Sequence, residues 1–555
     1  MARKAKLRVV ALGGLNEIGK NMYIYECGND ILVIDSGMAF PDDDMLGIDL
    51  VIPDITYLIK NKQKVRAVIL THGHEDHIGG LPYLLKELNV PVYGTRLTLG
   101  LVECKLKEHG ILSKSQLHCV KQGNKVKLGN FTVEFIHSNH SIPDAVMLAI
   151  TTSAGTVIHT GDFKIDPTPI SGSMIDLGRL GELGKKGVLA LLSDSTNVEN
   201  PGYTLSESKV GITFDEIFAN YKKNRIIVAT FASNVHRIQQ LINSAKKYGR
   251  KLAVSGRSME NIVEVASLLG YIKMPKGMLI SIDEIKKYQP HQLVICTTGS
   301  QGEPMSALSR MSTSEHKKVE IVKGDLIVIS ANPIPGNETS VSKVVDELFK
   351  RGAEVIYESS NAIHVSGHAC QEELKIILGI TKPKFFVPMH GEYRHLIQHA
   401  RLGEQMGVNP DNIFIMGIGQ VLEFSGDGAK IVSTVPSGRI LVDGLGVGDV
   451  GNIVLRDRQH LAQDGLIVTV ISISSETGAI VGSPDVISRG FVYVRESEEL
   501  MDEIRDVVLK SFCDAKSSGI KDWSTLKLKV KHALSGFLYN RTKRSPMILP
   551  VIVEV

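Results

Sequence analysis

The first two hundred residues alternate between short apolar runs and polar turns, a pattern typical of β-strands. Runs rich in Val, Ile, Leu and Thr, bounded by Gly, Asp or Asn, lie at 31–34, 65–70, 132–136 and 156–159. One segment, 81–88, has the spacing of a short helix. Because strands outnumber helices, residues 1–205 are predicted to form packed sheets covered by a few helices.

From about residue 206 the pattern becomes a regular alternation of strand and helix. The predicted strands and helices, in chain order, are a strand at 225–231, a helix at 235–247, a strand at 251–255, a helix at 258–269, strands at 293–297 and 326–330, a helix at 340–351 and a strand at 354–357. This order predicts a parallel α/β sheet over 206–360. Strand-rich texture returns over 361–450, for example at 385–388, so the α/β segment is predicted to be inserted into the first domain.

The last hundred residues, 451–555, form a third predicted unit. A strand at 466–473 precedes helices at 498–516 and 523–538, and a terminal strand follows at 547–553. This unit carries no motif with evident chemistry. We therefore interpret it as an assembly module that supports a homodimer or homotetramer.

Composition limits the class of protein without naming a function. The chain has 555 residues, a formal charge of +3 and six cysteines, none of them in a Cys-x-x-Cys pair. The basic start, Met1–Arg8, leads into an apolar run that Asn16 and Glu17 end before a signal-peptide core could form. No apolar stretch is long enough to span a bilayer. These features predict a cytoplasmic protein with no membrane segment.

The densest chemical signal follows the strand at 65–70. His72, His74, Asp76 and His77 place four ligand-type side chains within six residues at a strand end. Imidazole with carboxylate is the ligand set of zinc or manganese. The competing interpretation is a solvated polar loop, which we disfavour because clustered histidines and aspartates repel or lose hydration without a cation.

A site for two metals needs ligands from other loops. His140, Asp162 and His390 each lie just after a β run, where side chains from different strands can converge. His137 and His159 have similar surroundings, and we interpret them as core or supporting residues. The seven candidate ligands together predict a two-metal hydrolase.

Two loops resembling nucleotide-binding motifs are not interpreted as such. The segment 14–21 nearly matches a phosphate-binding loop, but Asn21 replaces the hydroxyl residue that would hold magnesium. The segment 446–451 matches G-x-G-x-x-G, but the residues after it are predicted to form a strand, so we expect a simple turn.

The motifs as a set resemble a known family. The run 72–77, with Asp35 in the segment 33–37, resembles the metallo-β-lactamase signature, and Asp194, His368 and His390 with the inserted α/β domain resemble the β-CASP group. The segments 11–21, 299–304, 452–458 and 542–550 are similar to bacterial ribonuclease J, and the resemblance covers essentially the whole chain. It implies an α/β fold: a metallo-β-lactamase αββα sandwich (1–205 and 361–450), an inserted β-CASP parallel α/β domain (206–360) and a small α/β C-terminal oligomerisation domain (451–555).

The same resemblance implies a division of labour among the candidate residues. His72, His74 and His140 would hold one metal, Asp76, His77 and His390 the other, and Asp162 would bridge them; two Zn²⁺ ions are expected, with Mn²⁺ as the alternative. Asp35 and Asp194 would orient ligands or water, and Asp76, Asp194 and His368 would serve catalysis. The implied activity is a ribonuclease that acts internally and 5′-to-3′, prefers a 5′-monophosphate, and serves mRNA decay and rRNA maturation. The implied partners are single-stranded RNA and either a paralogous subunit or an RNA-degradation complex.

RNA contact is predicted in three segments. Between residues 222 and 257 there are nine Lys and Arg residues and no Asp or Glu, which favours an electrostatic track for phosphates. The resemblance assigns substrate binding to Ser233, Asn234 and Val235, and to His364, Val365, Ser366, Gly367 and His368. It also suggests a structural calcium at Gly47, Asp49 and Asp443, where hard oxygen ligands accompany Gly turns.

Two other functions stay open at this point. A small-molecule metallohydrolase of the lactamase or thioesterase kind would use the same ligands but needs neither extra domain. A non-catalytic RNA-binding partner subunit would lack ligands, yet every expected ligand is present here. The sequence contains no short motif that separates RNA from DNA as the substrate.

Overall fold

The computed structural model describes residues 6–303, 305–334, 337–357, 362–425, 428–492, 498–520 and 522–555. Most of the basic start, residues 1–5, and Pro304 of the segment 299–304 lie outside the described residues. The chain divides into two compact units. Unit 1 comprises residues up to 39 together with 51–440, and unit 2 comprises 40–50 together with 441–555.

The elements of unit 1 alternate as the apolar pattern predicts. Its strands are β1 (Leu7–Gly13), β2 (Met22–Cys27), β3 (Asp30–Ile34), β4 (Leu50–Pro53, which begins at the unit border), β5 (Val65–Ile69), β6 (Val92–Gly94), β7 (Leu117–Cys119), β8 (Lys125–Leu128), β9 (Phe131–His137), β10 (Val146–Thr152), β11 (Gly155–His159), β12 (Ala190–Asp194), β13 (Ile226–Ala229), β14 (Lys251–Ser255), β15 (Leu279–Ile280), β16 (Leu293–Thr297), β17 (Leu326–Ile329), β18 (Glu354–Ile356), β19 (Phe385–Met389), β20 (Gln420–Ser425) and β21 (Gly428–Thr434). Its helices are α1 (Thr56–Lys60), α2 (Glu75–Ile78), α3 (Leu81–Glu87), α4 (Arg96–Glu108), α5 (Leu177–Lys186), α6 (Ser208–Asn220), α7 (Val235–Lys247), α8 (Arg257–Leu268), α9 (Ala307–Ser312), α10 (Glu338–Lys350), α11 (Gln371–Thr381) and α12 (Tyr393–Gln405).

Two sheets form a sandwich in unit 1. The first has the order β21-β20-β1-β2-β3-β5-β6-β7 and the second the order β19-β12-β11-β10-β9-β8. Apolar side chains from both, including Tyr25, Phe135 and Phe385, share one buried core between the sheets. Helices α3 and α4 cover the outer face of the first sheet, and α5 and α11 cover that of the second. This is the predicted αββα arrangement.

A third sheet lies within the inserted segment. Its order is β15-β14-β16-β13-β17-β18, and every neighbouring pair is parallel. Apolar residues of α6, α7 and α8 pack on one face, while α9 and α10 pack on the other. Burial on both faces explains why these strands read as continuous apolar runs, as predicted for a parallel α/β sheet.

Unit 2 is a small α/β structure. Its elements are β22 (Arg439–Asp443, which begins at the unit border), β23 (Gly446–Val447), α13 (Asn452–Asp464), β24 (Leu466–Ile473), β25 (Asp485–Arg489), α14 (Glu498–Ser517), α15 (Trp523–Thr542) and β26 (Met547–Glu554). Strand β24 lies between β25 and β26, and its buried residues pack on α14 and α15. The unit also takes in residues 40–50 and 441–450, where the Asp49 amide donates to the Val442 carbonyl.

One predicted element is wrong. Residues after the segment 446–451 form helix α13, not a strand, and Gly451 stands at its N-terminus. The apolar residues Ile453 and Val454 suggested a strand, yet both are exposed, so their hydrophobicity does not report a buried β run. Among the described residues, no helix combines the length and apolar character that crossing a bilayer requires.

Candidate metal centre

Six of the seven candidate ligands follow strands that have a parallel neighbour, β5, β11 and β19, while His140 follows the antiparallel strand β9. His159, Leu192 and Val387 are register partners in β11, β12 and β19, so the loops after these strands begin side by side. Asp162 and His390 lie in the loops after β11 and β19, and Asp194 is the last residue of β12. Carboxyl ends of parallel strands are the usual place for a ligand site in such folds. The facing sheet contributes the run 72–77 after β5.

The structure brings all seven candidate ligands together in two clusters. Within each cluster, one ligand-type atom per residue lies within 4.8 Å of every other; the clusters are His72, His74, His140 and Asp162, and Asp76, His77, Asp162 and His390. Asp162 belongs to both. A third group of the same kind, Asp162, Asp194, His368 and His390, overlaps them.

Distances within the clusters centre on the carboxylate of Asp162. Its Oδ2 lies 3.2 Å from His77 Nε2, 3.6 Å from His72 Nε2 and 3.8 Å from His140 Nε2. Its Oδ1 lies 3.7 Å from His390 Nδ1. Buried His72 Nε2 and Asp162 Oδ1 have no hydrogen-bond partner. Orphaned ligand atoms in a buried pocket cost free energy unless a cation satisfies them, so this donor set fits divalent metals.

Hydrogen bonds to the far ring nitrogens orient three of the imidazoles. His77 Nδ1 donates to Asp35 Oδ2 at 2.7 Å, and His140 Nδ1 donates to the Gly367 carbonyl at 2.7 Å. His390 Nδ1 lies 2.6 Å from Thr196 Oγ1. For His77 and His140, the bond leaves the other nitrogen, Nε2, as a lone-pair donor toward the cluster.

The carboxylates and imidazoles of the clusters shift one another's pKa values. Burial alone would raise the pKa of Asp162, but His390, His77 and His72 lower it well below its usual value. Burial lowers the pKa of His390, but the carboxylates of Asp162, Asp194 and Asp76 raise it to about 10. The carboxylates therefore hold protons on neighbouring imidazoles, and divalent cations can take over that neutralising role.

Two site residues adopt backbone conformations that are rare outside glycine. The φ angles of Asp35 and His390 are +61° and +54°. Such strain in non-glycine residues clusters at functional sites, where the surrounding structure holds it in place. Asp35 is fully buried, and its two oxygens also accept from the Thr71 amide at 2.8 Å and the Thr71 hydroxyl at 2.7 Å.

Asp194 and His368 form a pair beside the metal ligands. His368 Nδ1 lies 2.7 Å from Asp194 Oδ2, and the two imidazoles of His368 and His390 stack with centroids 5.5 Å apart. Burial lowers the pKa of His368, but the charge of Asp194, its hydrogen bond and the charge of Asp162 together raise it, so the net shift is upward. A protonated imidazole at this point can donate a proton or a hydrogen bond to a reacting group.

Several functional contacts were missed by the sequence interpretation. Asn21 Nδ2 lies 3.1 Å from His77 Nε2, and Thr196 supports His390 as described above. Asn and Thr are common polar residues, so the sequence alone gives no sign that they support a metal ligand. His137 and His159, which we interpreted as core or supporting residues, lie outside both clusters. His159 is buried, with its Nδ1 3.0 Å from the Tyr25 hydroxyl, and His137 Nε2 lies 2.7 Å from the Ser173 carbonyl oxygen.

Part of the basic run 222–257 is structural, which narrows its interpretation as a phosphate track to the exposed residues Lys222, Lys223, Lys246 and Arg257. Arg237 and Arg250 are buried; Arg250 donates to the carbonyl oxygens of Asn224 and Tyr221, both at 2.7 Å. Arg225 pairs with Asp325, and Lys247 pairs with Asp215 at 2.6 Å. Since acids outside the run neutralise Arg225, Arg237 and Lys247, counting charges along the chain overestimates the positive field.

The predicted RNA-binding segments also have internal roles. Asn234 caps α7 by accepting from the Arg237 amide at 3.1 Å, and Val235 is buried in the core, which leaves Ser233 half-buried. Val365 is buried as well, and Ser366 Oγ accepts from the His368 amide at 3.1 Å. Within the segment 364–368, the Gly367 carbonyl accepts a hydrogen bond from Nδ1 of the candidate ligand His140.

At the predicted calcium position an internal cation already neutralises one carboxylate. Arg458 pairs with Asp443 through Nη2 and donates to the Leu46 carbonyl at 2.9 Å through Nη1. Asp49 Oδ2 accepts from the Gly444 amide at 2.7 Å. A Cβ added at Gly47 would lie 2.7 Å from Arg458 Nη1, so the glycine makes room for the guanidinium. These contacts need no calcium to satisfy them.

Family comparison matches almost the whole chain. The matching families are the metallo-beta-lactamase superfamily at 15–173, "Ribonuclease J, beta-CASP domain" at 223–348, "Zn-dependent metallo-hydrolase RNA specificity domain" at 352–416 and "Ribonuclease J C-terminal domain" at 453–555. Among solved structures, a protein of unknown function from Enterococcus faecalis V583 superposes with a TM-score of 0.53 at 17% identity, covering 75% of this chain and 99% of that one. At that identity the likeness shows the fold alone.

Two relatives match this chain over nearly its full length. Ribonuclease J2 of Bacillus subtilis is 47% identical over 549 residues, covering 99% of both chains. Ribonuclease J 1 of Streptococcus pyogenes is 44% identical over 545 residues, covering 98% of this chain and 97% of the relative. With identity at this level from end to end, and with the predicted ligand loops meeting at one edge of a metallo-β-lactamase sandwich, the chain belongs to the ribonuclease J family.

Proposed function

We propose that this protein is a metal-dependent ribonuclease that hydrolyses phosphodiester bonds in single-stranded RNA. The observation that carries the proposal is the pair of clusters that share Asp162, with His72, His74 and His140 on one side and Asp76, His77 and His390 on the other. Two Zn²⁺ ions, or Mn²⁺ in their place, would be held there. Bound divalent ions supply a water nucleophile at neutral pH and offset the charge that develops on the phosphodiester.

The chain's own residues prepare the site for that chemistry. Asp35 and the Gly367 carbonyl hold His77 and His140 in the tautomer that directs Nε2 inward. Asp194 orients the ring of His368 and favours its protonated form, which would offer a ring N–H to the leaving oxygen or to a non-bridging phosphate oxygen. Asp76, which accepts from His390 Nε2 at 3.2 Å, ties the run 72–77 to the loop after β19.

We further propose that Ser233, Asn234 and Val235, and the segment 364–368, hold the RNA strand and its 5′-monophosphate. Since Asn234 and Val235 are committed to the helix cap and the core, the contact at 233–235 would use Ser233 and backbone groups at the start of α7. Capture of the 5′ phosphate would favour stepwise 5′-to-3′ removal, with endonuclease action on internal sites. The cellular role would be mRNA decay and rRNA maturation in the cytoplasm.

The remaining elements of the proposal concern boundaries and assembly. We propose domain borders near 205, 360 and 450, with 451–555 supporting a homodimer or homotetramer, alone or with a paralogous subunit or RNA-degradation complex. A structural calcium at Gly47, Asp49 and Asp443 would have to displace Arg458 from Asp443, and we rank it below the two catalytic metals.

The decisive experiment is a time course on one RNA labelled at its 5′ end, prepared with a monophosphate and with a triphosphate. We expect Mn²⁺- or Zn²⁺-dependent cleavage that stops with chelator and is faster on the monophosphate. Equal rates would remove the 5′-phosphate pocket and leave the nuclease intact. No cleavage of either RNA, by protein shown to contain metal, would refute the ribonuclease.

A further inference from the structure

Arg237 belongs to the basic run, yet it is completely buried and cannot face RNA. Its Nε and Nη2 each donate to a different carboxylate oxygen of Glu207 at 3.0 Å. Glu207 lies just before α6, where the chain enters the inserted domain. A bidentate pair of this kind fixes the guanidinium plane and therefore the direction of its other donors.

Those other donors reach the segment that carries the proposed RNA contacts. Nη1 donates to the Ser330 carbonyl at 2.7 Å and lies 2.9 Å from His364 Nδ1, while Nη2 also donates to the Val365 carbonyl at 3.2 Å. All five N–H groups of the guanidinium are thus used. Lysine has three donors on one atom and cannot reproduce this fan of contacts.

The segment that Arg237 holds reaches the metal centre two and three residues later. The Gly367 carbonyl accepts from the ligand His140, and His368 pairs with Asp194. A continuous chain of contacts therefore runs from Glu207 and Arg237 through residues 364–367 to a metal ligand. Displacement of Val365 would move the carbonyl that sets the tautomer of His140.

The contact with Arg237 also determines what His364 can offer a ligand. A guanidinium only donates hydrogen bonds, so His364 Nδ1 is the acceptor and the ring proton lies on Nε2. The pKa of His364 is lowered well below its usual value, mainly by burial and then by Arg237 and Lys164, against an opposing effect of the Ser330 carbonyl. A neutral ring with its proton on Nε2 offers a single hydrogen-bond donor, which suits a phosphate oxygen.

We propose that Arg237 is a positioning residue of the RNA site, which holds the segment 364–368 in place and makes His364 a neutral Nε2–H donor to the RNA backbone. This inference rests on the proposed function. It also explains why an arginine in the middle of a basic run is sequestered from solvent.

The first test compares Arg237→Lys with Arg225→Lys. Arg225 is a matched control, because it also makes a bidentate pair, with Asp325, and donates to a carbonyl, that of Glu320, and none of these hydrogen bonds involves residues 364–368. We expect Arg237→Lys to raise the KM for a 5′-monophosphate RNA about tenfold, which is the size of one lost charge-assisted hydrogen bond, and Arg225→Lys to leave KM unchanged. Metal content and Tm are measured for both variants. Equal KM values at similar Tm would overturn the proposal.

The second test addresses His364 directly and does not depend on cleavage. In protein with ¹⁵N-labelled histidine, the His364 ring should be neutral and protonated at Nε2 in the wild type, and this preference should be lost in Arg237→Lys. If that variant does not fold, Glu207→Gln, which removes the carboxylate that holds the guanidinium, takes its place. A wild-type ring protonated at Nδ1 would overturn the proposal.

Two substitutions of His364 test which ring nitrogen supplies the hydrogen-bond donor to RNA. The amide of His364→Gln places an N–H donor near the position of Nε2, whereas that of His364→Asn places its polar atoms near Nδ1. We expect Gln to retain RNA affinity within about threefold and Asn to lose about tenfold; the reverse order would contradict the tautomer. If the wild type neither cleaves nor binds RNA, the proposed function fails, while the ring-proton measurement still decides the arrangement of Arg237 and His364.

Discussion

Asp35→Asn isolates the role of a carboxylate that touches no candidate metal position. The carboxylate of Asp35 accepts from His77 Nδ1 at 2.7 Å and from the Thr71 amide and hydroxyl. Asparagine has nearly the same shape and tolerates the left-handed φ of +61° at this position, so the backbone need not move. The change therefore replaces one acceptor oxygen by an NH₂ group and little else.

The expected damage follows from the hydrogen-bonding capacity of the amide. The Thr71 amide needs an acceptor, so the asparagine oxygen should stay with Thr71 and the NH₂ group should face His77. His77 Nδ1 would then accept a hydrogen bond from this NH₂ group. The ring proton would move to Nε2, the nitrogen that lies 3.2 Å from Asp162 Oδ2. Loss of such a supporting carboxylate typically weakens metal binding about 10- to 100-fold, which is about 1.4–2.8 kcal/mol of binding free energy.

The assay is calorimetric titration of the metal-free protein with Zn²⁺ or Mn²⁺, with metal content after dialysis as a second measure. Asp325→Asn is the matched control, since Asp325 is also a buried carboxylate that pairs with a side chain and accepts a backbone amide, that of Val322 at 2.8 Å. The control should lower Tm and leave metal affinity unchanged. RNA cleavage by Asp35→Asn should recover at high metal concentration. Wild-type metal affinity in Asp35→Asn would refute the argument that Asp35 sets the tautomer of His77.

Four further predictions test other parts of the site. Asp162→Ala should abolish metal binding at both clusters and with it cleavage, while RNA binding persists; retention of two metals per chain would refute the shared-ligand assignment. Gly367→Ala should displace His140, because the added Cβ would lie 2.6 Å from its Cε1, and metal content should fall; Gly181→Ala, which meets nothing within 4 Å, serves as control, and equal metal content in both would contradict the clash. Asp194→Asn should reduce kcat and change KM little, since it leaves His368 without the charge that raises its pKa. A rise in KM with unchanged kcat would argue for a binding role alone. Chelator should lower the Tm of the wild type by several degrees and that of Asp162→Ala by less, because only a folded site binds the ions tightly; equal shifts would show that the stabilising metal lies elsewhere.

Much of this site was predictable because its chemistry is concentrated in the chain. Four ligand-type residues within the run 72–77 have few explanations besides a metal, and His140, Asp162 and His390 each follow a recognisable apolar run. Periodicity also predicts the alternation of strand and helix over 206–360, since a parallel sheet covered on both faces requires continuous apolar strands. The helix 235–247 and the strands 251–255 and 293–297 have the predicted bounds.

Other features exist only once distant segments meet. Whether a lysine or arginine faces solvent depends on the acids that tertiary packing places beside it, so the pairing of Arg237 with Glu207 and of Arg225 with Asp325 is invisible along the chain. The tautomers of His77 and His140 depend on Asp35 and on a backbone carbonyl 227 residues away from His140. The sequence by itself therefore determined the ligand types and the order of elements, because both are local properties of the chain. The tertiary structure alone decided which nitrogen faces the candidate metal positions, which cations are buried and which loop holds the proposed RNA contacts, because those depend on where folding places groups that are far apart in sequence.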